Sequence, residues 1–288
     1  MPIVHPLLAF AALFGTQDVP QPAIEAPVEQ PVSALAHGAP WQVEIFSNFT
    51  GWGADELAQK PAWELAHRCG GSLIAEGWVL TAAHCINQKK VDQGYRVRLG
   101  TRDLSNGRGT TYRIDRMVRH AAYDAPRHFN DIALVHFVAD DQTDESLIGK
   151  VVPIRLNGSE DDDVAIGIGV PVTVTGWGKD KSGADGRFPA QLMLADLKTV
   201  DCETPAYRGR TTDDMLCAAA PAVDACQGDS GGPLVLTEGE PVLIGIVSWG
   251  EGCADPERPG VYVRIDKDHY LDWISRAMAA EPPVNPSD

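Results

Sequence analysis

Residues 224–233 read Asp-Ala-Cys-Gln-Gly-Asp-Ser-Gly-Gly-Pro, and the rest of the chain is best understood from this stretch. Ser230 follows Gly228-Asp229 and precedes two glycines and a proline. Because glycine reaches backbone angles that strain other residues, a serine between glycines can lie on a tight turn whose N–H groups point to one side. Such donors can hold an oxyanion while the hydroxyl attacks a carbonyl. An ordinary surface turn is the alternative, and a base and an orienting acid elsewhere would decide between the two.

Two further segments supply a base and an acid. His84 comes directly after a predicted strand, in the run Leu80-Thr-Ala-Ala-His84-Cys85. Asp131 comes directly before another, in the run Asn130-Asp131-Ile-Ala-Leu134. Each has a structural interpretation when taken alone: a histidine at a strand end usually supports the fold, and an aspartate before a strand is usually a turn residue. Together with Ser230 they make a base, an acid and a nucleophile.

Composition argues against several classes of partner. The chain has 288 residues and is 44% hydrophobic, which suffices for one large or two ordinary domains. Its net charge of −16 argues against nucleic acid and anionic membranes as partners. No run approaches the roughly 20 apolar residues that cross a bilayer. The acidic surface favours solubility, with attraction of cationic substrates as the second interpretation.

The six cysteines are widely spaced, form no Cys-x-x-Cys and have no histidine at zinc-finger spacing, so we predict three disulfides and no metal site. This indicates a secreted or periplasmic protein. Residues 3–14 resemble the apolar core of a signal peptide, although no Lys or Arg precedes Lys60. The predicted organisation is a signal peptide at 1–16, a Pro-rich linker or pro-segment at 17–36, one domain at 37–280 and a tail at 281–288.

Short strand-like runs fill the domain, separated by turn residues. They lie at Ser72–Ile74, Trp78–Thr81, Tyr95–Leu99, Ile132–Phe137, Val170–Thr175, Leu192–Val200, Leu234–Leu236, Val242–Val247 and Val261–Ile265. Many short strands with almost no long helical pattern favour an all-β sandwich or a pair of barrels. The exception precedes Pro282-Pro283, where one apolar helix face is predicted from Tyr270, Trp273, Ile274, Ala277 and Met278.

The candidate catalytic segments resemble those of the trypsin/chymotrypsin family of serine proteases. The matching motifs are Ala82-Ala-His-Cys85, Asn130-Asp-Ile-Ala-Leu134 and Gly228-Asp-Ser-Gly-Gly-Pro233. Their His, Asp, Ser order separates this family from subtilisins and α/β-hydrolases. Weaker similarities extend the resemblance over about residues 40–278. It implies an all-β fold of two packed six-stranded antiparallel Greek-key β-barrels with a C-terminal α-helix.

The same resemblance implies a role for each matching residue. Ser230 is expected to be the nucleophile, His84 the general base and then acid, and Asp131 the group that orients His84. The N–H groups of Gly228 and Ser230 would form the oxyanion hole. No cofactor is expected. The implied disulfides, which use all six cysteines, are Cys69–Cys85, Cys202–Cys217 and Cys226–Cys253.

Similar enzymes select substrates with a pocket beside the nucleophile. Asp224, six residues before Ser230, matches the aspartate at the base of trypsin's pocket, where a buried carboxylate favours Arg or Lys in the substrate. A surface acid is the alternative. Ala225 stands where trypsin has a serine and lacks the hydroxyl that would solvate an ammonium, which predicts Arg over Lys. The other expected substrate-binding residues are Ser248, Trp249, Gly250 and Gly260.

Activation departs from the family pattern. In the family, cleavage frees an Ile-Val-Gly-Gly-like N-terminus whose ammonium pairs with the aspartate before the nucleophile, here Asp229. This chain has no Arg or Lys before Lys60 and no such tetrapeptide. Either another protease trims the pro-segment, or another group satisfies Asp229.

Three other segments carry weaker predictions. Residues 101–109 lack the acid pattern of the family's calcium loop, so we expect no calcium dependence. Residues 47–66 are predicted to be a surface loop with one helical turn, bordering the part of the cleft that binds substrate beyond the scissile bond. The acidic cluster at 160–163 favours a solvated loop, with a calcium site as the second interpretation.

The leading hypothesis is a monomeric serine endopeptidase that cuts peptide or protein substrates after Arg or Lys through an acyl-enzyme. A catalytically silent or zymogen-locked binding protein is the alternative, supported only by the missing activation motif. An esterase on another scaffold disagrees with the order of the motifs and with the cysteine pattern.

Overall fold

Six strands form the first half of the structure. In this computed structural model, which describes residues 38–280 except 148, 150, 160–163, 222 and 256, they are β1 (Gln42–Ser47), β2 (His67–Ala75), β3 (Trp78–Thr81), β4 (Tyr95–Leu99), β5 (Thr110–Arg119) and β6 (Ala133–Val138). They close into an antiparallel barrel in the order β1-β2-β3-β6-β5-β4. Because β1 lies between β4 and β2, the first four strands follow the 4-1-2-3 order of a Greek key.

Several sequence predictions lie outside the described residues. These are the signal peptide at 1–16, the linker at 17–36, the tail at 281–288 and the acidic cluster at 160–163.

Strand β1 shows how the first barrel is built and how it meets the second half. Val43 and Ile45 are fully buried inside the first barrel's core. Successive side chains point to opposite faces of a strand, so Gln42 and Glu44 lie on the other face, and they are buried too. The Thr175 hydroxyl donates to the Gln42 side-chain oxygen at 2.6 Å, which shows that this face meets the second barrel.

A second barrel of six strands follows. Its strands are β8 (Pro171–Gly176), β9 (Met193–Val200), β10 (Met215–Ala219), β11 (Pro233–Leu236), β12 (Val242–Trp249) and β13 (Gly260–Arg264), after the short β7 (Arg155–Leu156). The order is β11-β8-β9-β10-β13-β12, and pairing of β11 with β12 closes the ring. Strand β7 adds to β12 in parallel. The prediction of two six-stranded antiparallel Greek-key barrels is confirmed, with β7 as an addition.

Helices are few and short apart from the last. They are α1 (Ala54–Gln59), α2 (Ala62–Ala66), α3 (Gln88–Asp92) and α4 (Asp268–Ala279). The insertion at 47–66 therefore holds two helices rather than one turn. Pro61 separates them as the N-cap of α2, since proline cannot donate the N–H that would continue α1.

The C-terminal helix α4 is confirmed and packs against the first barrel. Tyr270, Ile274 and Ala277 are buried in the same core as the first barrel's strands. From β5, Arg116 donates to the carbonyl oxygens of Ala277 and Ala280 at 2.9 and 2.7 Å. These bonds satisfy carbonyl groups that a helix end leaves without partners.

The three implied disulfides are present: Cys69–Cys85, Cys202–Cys217 and Cys226–Cys253. They account for all six cysteines of the chain. Within the described ranges, no helix is long and apolar enough to cross a membrane.

Candidate active site

His84 and Asp131 meet because they flank paired strands. Thr81 at the end of β3 pairs with Ala133 at the start of β6, so the residues after β3 and before β6 share one edge of the first barrel. There His84 Nδ1 lies 2.7 Å from Asp131 Oδ2, and the His84 backbone N–H donates to Asp131 Oδ1 at 2.9 Å. The carboxylate thereby fixes the imidazole on one side and leaves Nε2 for other partners.

Asp131 is completely buried and receives further donors. Ser248, expected to bind substrate, donates its hydroxyl to Asp131 Oδ2 at 2.6 Å. His128 Nδ1 lies 3.6 Å from the same oxygen. Burial by itself raises the pKa of Asp131, but the adjacent His128 imidazole and the hydrogen bonds from His84 and Ser248 outweigh it and hold the pKa well below its usual range. The carboxylate is therefore charged at neutral pH.

Ser230 lies where the two barrels meet. Its carbonyl oxygen accepts the Gly70 N–H of β2 at 2.8 Å and lies 3.4 Å from the sulfur of Cys85, the residue after His84. On the other side, the Gly231 N–H donates to the Val247 carbonyl of β12 at 2.7 Å. The Ser230 backbone thus lies beside Cys85, the residue that follows His84 in the chain.

Gly228 adopts a backbone conformation that requires glycine. Its φ is +102°, and a Cβ atom there would collide with the Phe188 ring. Among the described residues, the N–H groups of Gly228 and Ser230 donate to no backbone acceptor. Both expected oxyanion donors are therefore available to a substrate.

A buried histidine that the sequence did not indicate holds the other side of Gly228. His67 Nε2 lies 3.1 Å from the Gly228 carbonyl oxygen, and its Nδ1 lies 3.1 Å from Glu44 Oε1. Carbonyl and carboxylate oxygens only accept, so both bonds form together when the ring is the doubly protonated imidazolium. Arg98 lies 3.4 Å from the other Glu44 oxygen. This network ties β1 and β2 to the loop that carries Ser230.

A pocket of about 160 Å³ opens beside Ser230. The expected substrate-binding residues that line it are Ala225, Ser248, Trp249, Gly250 and Gly260. Asp224 is not among the residues that line this pocket, but its Oδ1 would lie 2.7 Å from a Cβ atom at Gly260, so the carboxylate lies behind the pocket wall. Burial, followed by the charge of Asp229, raises the pKa of Asp224 to about 7, against opposing backbone hydrogen bonds.

Asp229 faces away from this pocket into the protein. Its two carboxylate oxygens accept the N–H groups of Gly178 and Cys226 at 2.7 and 2.9 Å. Burial raises its pKa, and within the described part of the chain no ion pair is formed by its carboxylate. A cavity of about 520 Å³ is lined by Asp224 and Asp229 together. A cation in that cavity would relieve the desolvation of two carboxylates.

All these residues lie within 30–274, which match the family model described as Trypsin. The chain belongs to the trypsin family of serine proteases. Known trypsins are similar over most of their own length. Trypsin Blo t 3 of Blomia tropicalis is 38% identical over 73% of this chain and 76% of its own. Trypsin epsilon of Drosophila erecta is 37% identical over 73% of this chain and 78% of its own.

A longer relative and a relative of known structure are also serine proteases. Transmembrane protease serine 11B of Homo sapiens is 36% identical over 74% of this chain, which spans 50% of that protein's length. Neuropsin, a serine protease of mouse brain, has a solved structure with a TM-score of 0.65 and 33% identity, covering 84% of this chain and 96% of that one. The trypsin family's serine protease fold is thus present, whereas the role of each site residue in this chain is a matter for proposal.

Proposed function

We propose that this protein is a secreted or periplasmic endopeptidase that hydrolyses peptide bonds after Arg, preferentially, or Lys. The observation that supports this most strongly is the contact between His84 and Asp131 at 2.7 Å, next to Ser230 and a pocket with a carboxylate at its wall. Three disulfides favour an oxidising compartment.

The proposed mechanism assigns one task to each group. Ser230 Oγ attacks the scissile carbonyl carbon while His84 Nε2 takes the hydroxyl proton, and Asp131 stabilises the imidazolium. The Gly228 and Ser230 N–H groups hold the oxyanion. When the intermediate collapses, the C–N bond breaks and His84 protonates the leaving amine. Water, deprotonated by His84, then releases the acid product from the Ser230 ester.

The proposed specificity follows from the pocket wall. A substrate guanidinium or ammonium would pair with Asp224, whereas an apolar side chain would leave that carboxylate buried without a partner. Ala225 offers no hydroxyl to solvate an ammonium, and the planar guanidinium can bond a carboxylate through two N–H groups. We therefore expect a higher kcat/KM for Arg than for Lys in matched peptides.

Activation is proposed to require a cation beside Asp229. A newly freed N-terminal ammonium would suit the cavity that Asp224 and Asp229 line. The His84–Asp131 contact, the position of Ser230 beside Cys85 and the lack of backbone acceptors for the Gly228 and Ser230 N–H groups among the described residues count against a catalytically silent protein.

Cleavage assays test the proposal. The protein is produced in a secreting host, its mature N-terminus is sequenced, and kcat/KM is measured on peptides that differ only in Arg, Lys or Phe before the scissile bond. Cleavage after Arg, weaker after Lys, absent after Phe and absent for Ser230→Ala supports it. Equal or Lys-favoured values refute the Arg preference, and no cleavage of any peptide by the processed protein refutes the activity.

A further inference from the structure

A substrate that fills the pocket must continue on the other side of Ser230. In the proposed mechanism the leaving amine lies beside His84, which protonates it. The residues after the scissile bond therefore pass over the region that joins His84 and Cys85 to Gly228, away from Ala225 and Gly260 in the pocket. In a chain with a net charge of −16, this region is basic.

Two lysines flank the ring that covers Gly228. The ammonium groups of Lys60 and Lys179 each lie 5.9 Å from the centroid of Phe188, whose ring lies directly against Gly228. Lys60 lies in the insertion at 47–66 and forms an ion pair with Glu64, with 2.7 Å between the ammonium and the carboxylate. Lys179 donates to a neutral carbonyl oxygen, that of Gly183, at 3.0 Å.

Two more cations are Lys90, beside the segment that contains His84, and Arg68, whose charge acts on Lys90. Lys90 donates to the carbonyl oxygens of His84 and Cys85 at 3.1 and 2.8 Å. Arg68 donates to those of Leu65 and His67 at 2.6 and 2.7 Å. These acceptors are neutral, so they leave both positive charges uncancelled.

The two cations also act on each other. Burial, then the positive charges of Arg68 and Arg119, lower the pKa of Lys90. Among the described residues, neither Arg68 nor Lys90 forms an ion pair with a carboxylate. An anion arriving from outside would therefore relieve the repulsion between these cations.

We infer that these residues, here named the leaving-group face (Lys60, Arg68, Lys90 and Lys179), select substrates with Asp or Glu in the first positions after the scissile bond. The inference rests on the proposed endopeptidase function. A carboxylate at these positions meets four cations, of which only Lys60 has an acidic partner among the described residues, whereas Lys or Arg there is repelled.

Matched peptides with a single Arg provide the test. The two residues after Arg are Glu-Glu, Gln-Gln or Lys-Lys in otherwise identical internally quenched peptides. We expect kcat/KM to be roughly fivefold higher for Glu-Glu than for Gln-Gln and lowest for Lys-Lys, a size typical of several partly exposed ion pairs. The ratio should fall as NaCl is raised, because salt screens such pairs.

Variants locate the effect. The double variant Lys90→Gln with Lys179→Gln removes two of the four cations and should lower the Glu-Glu to Gln-Gln ratio to about half of the parent's value or less. Lys198→Gln is the matched control, because Lys198 is an exposed lysine on β9, and it should retain the ratio. A parent ratio near one, or a ratio unchanged in the double variant, overturns the inference.

A substrate that ends at the scissile bond separates this inference from the proposed function. An arginyl coumarylamide carries no amino acid after Arg, so its hydrolysis reports the activity without the leaving-group face. Hydrolysis of this compound together with equal cleavage of the three peptides overturns only the inference. Failure to hydrolyse it or any of the peptides overturns the proposed function as well.

Discussion

Asp224 is the residue whose environment most affects what the pocket can bind. Its carboxyl group is shielded from water and close enough to Asp229 to be affected by that charge, which together raise its pKa to about 7. The proton therefore leaves Asp224 within the neutral range rather than near pH 4. Below this pKa the pocket is neutral, and above it the pocket carries the negative charge that attracts a guanidinium or amidinium.

Affinity for an amidinium ligand should consequently depend on pH. With the Ser230→Ala variant, the affinity for benzamidine should rise about tenfold per pH unit well below pH 7 and level off above it, because the ionised carboxylate is the binding form. Titration calorimetry from pH 5 to 9 measures this. Adding Asp224→Asn should weaken binding and flatten the profile. A flat profile with Asp224 intact would show that this carboxylate does not hold the ligand's charge.

Ser248 offers a second test, because its hydroxyl donates to the Asp131 carboxylate at 2.6 Å. A hydrogen bond to a charged group contributes about 1.5–3 kcal/mol, so Ser248→Ala should lower kcat/KM roughly tenfold to a hundredfold. Ser72→Ala is the control, since Ser72 is equally buried and its hydroxyl has no partner among the described residues. Equal values for the two variants would count against a role for Ser248.

At the scale of elements, the sequence predicts some strands to the residue and misses others. Strands β3 and β4 have their predicted bounds. Strand β5 is not among the predicted strands, although Thr110, Tyr112 and Ile114 are buried at alternate positions as in a half-buried strand. A register shift between Ile114 and Arg116 ends this alternation halfway along the strand. Strand β10 was missed because Met215–Ala219 is short and does not alternate.

In the candidate site, local motifs identify individual residues but do not predict contacts between residues that are distant in the sequence. His84, Asp131 and Ser230 lie in recognisable motifs, so the sequence identifies them as candidates. The contact of His67 with Gly228 joins residues 161 positions apart, and no local pattern in either segment predicts it. The orientation of the Ser248 hydroxyl toward Asp131 likewise depends on how the two barrels pack.

The pairing of β1 with β2 buries the Glu44 carboxylate, whose removal should be costly because it lies 3.4 Å from the Arg98 guanidinium and 3.1 Å from the His67 imidazole. Both side chains of Glu44 and His67 are almost completely inaccessible, at 1% and 0% exposure. Removing one partner of such a pair costs about 3–5 kcal/mol, so Glu44→Gln should lower the free energy of unfolding by about that amount in urea denaturation.

A half-exposed pair in the same barrel provides the control for Glu44→Gln. Asp115 and His136 lie 2.7 Å apart with 31% and 30% of their side chains exposed. Asp115→Asn should cost at most about 1 kcal/mol. If both variants lose the same free energy of unfolding, the buried pair contributes no more to stability than the exposed one.

In the whole molecule, the candidate site lies where the two barrels meet. The first barrel supplies His84 and Asp131, and the second supplies Ser230 with the pocket. The Gly70–Ser230 backbone bond and the His67–Gly228 contact join the two halves at 2.8 and 3.1 Å. Asp229 lies behind this junction without a cationic partner among the described residues, so processing of the chain is expected to control whether the oxyanion donors are held in place.

Covalent labelling of Ser230 shows whether this serine is an activated nucleophile. The processed protein, with its N-terminus sequenced, is treated with a diphenyl phosphonate that carries a guanidinium side chain, and the adduct is located by peptide mass spectrometry. We predict one adduct, on Ser230, absent in Ser230→Ala and formed much more slowly in His84→Ala and in Asp224→Asn. An unlabelled Ser230, or labelling at the same rate without His84, would contradict the proposed catalytic roles of these two residues.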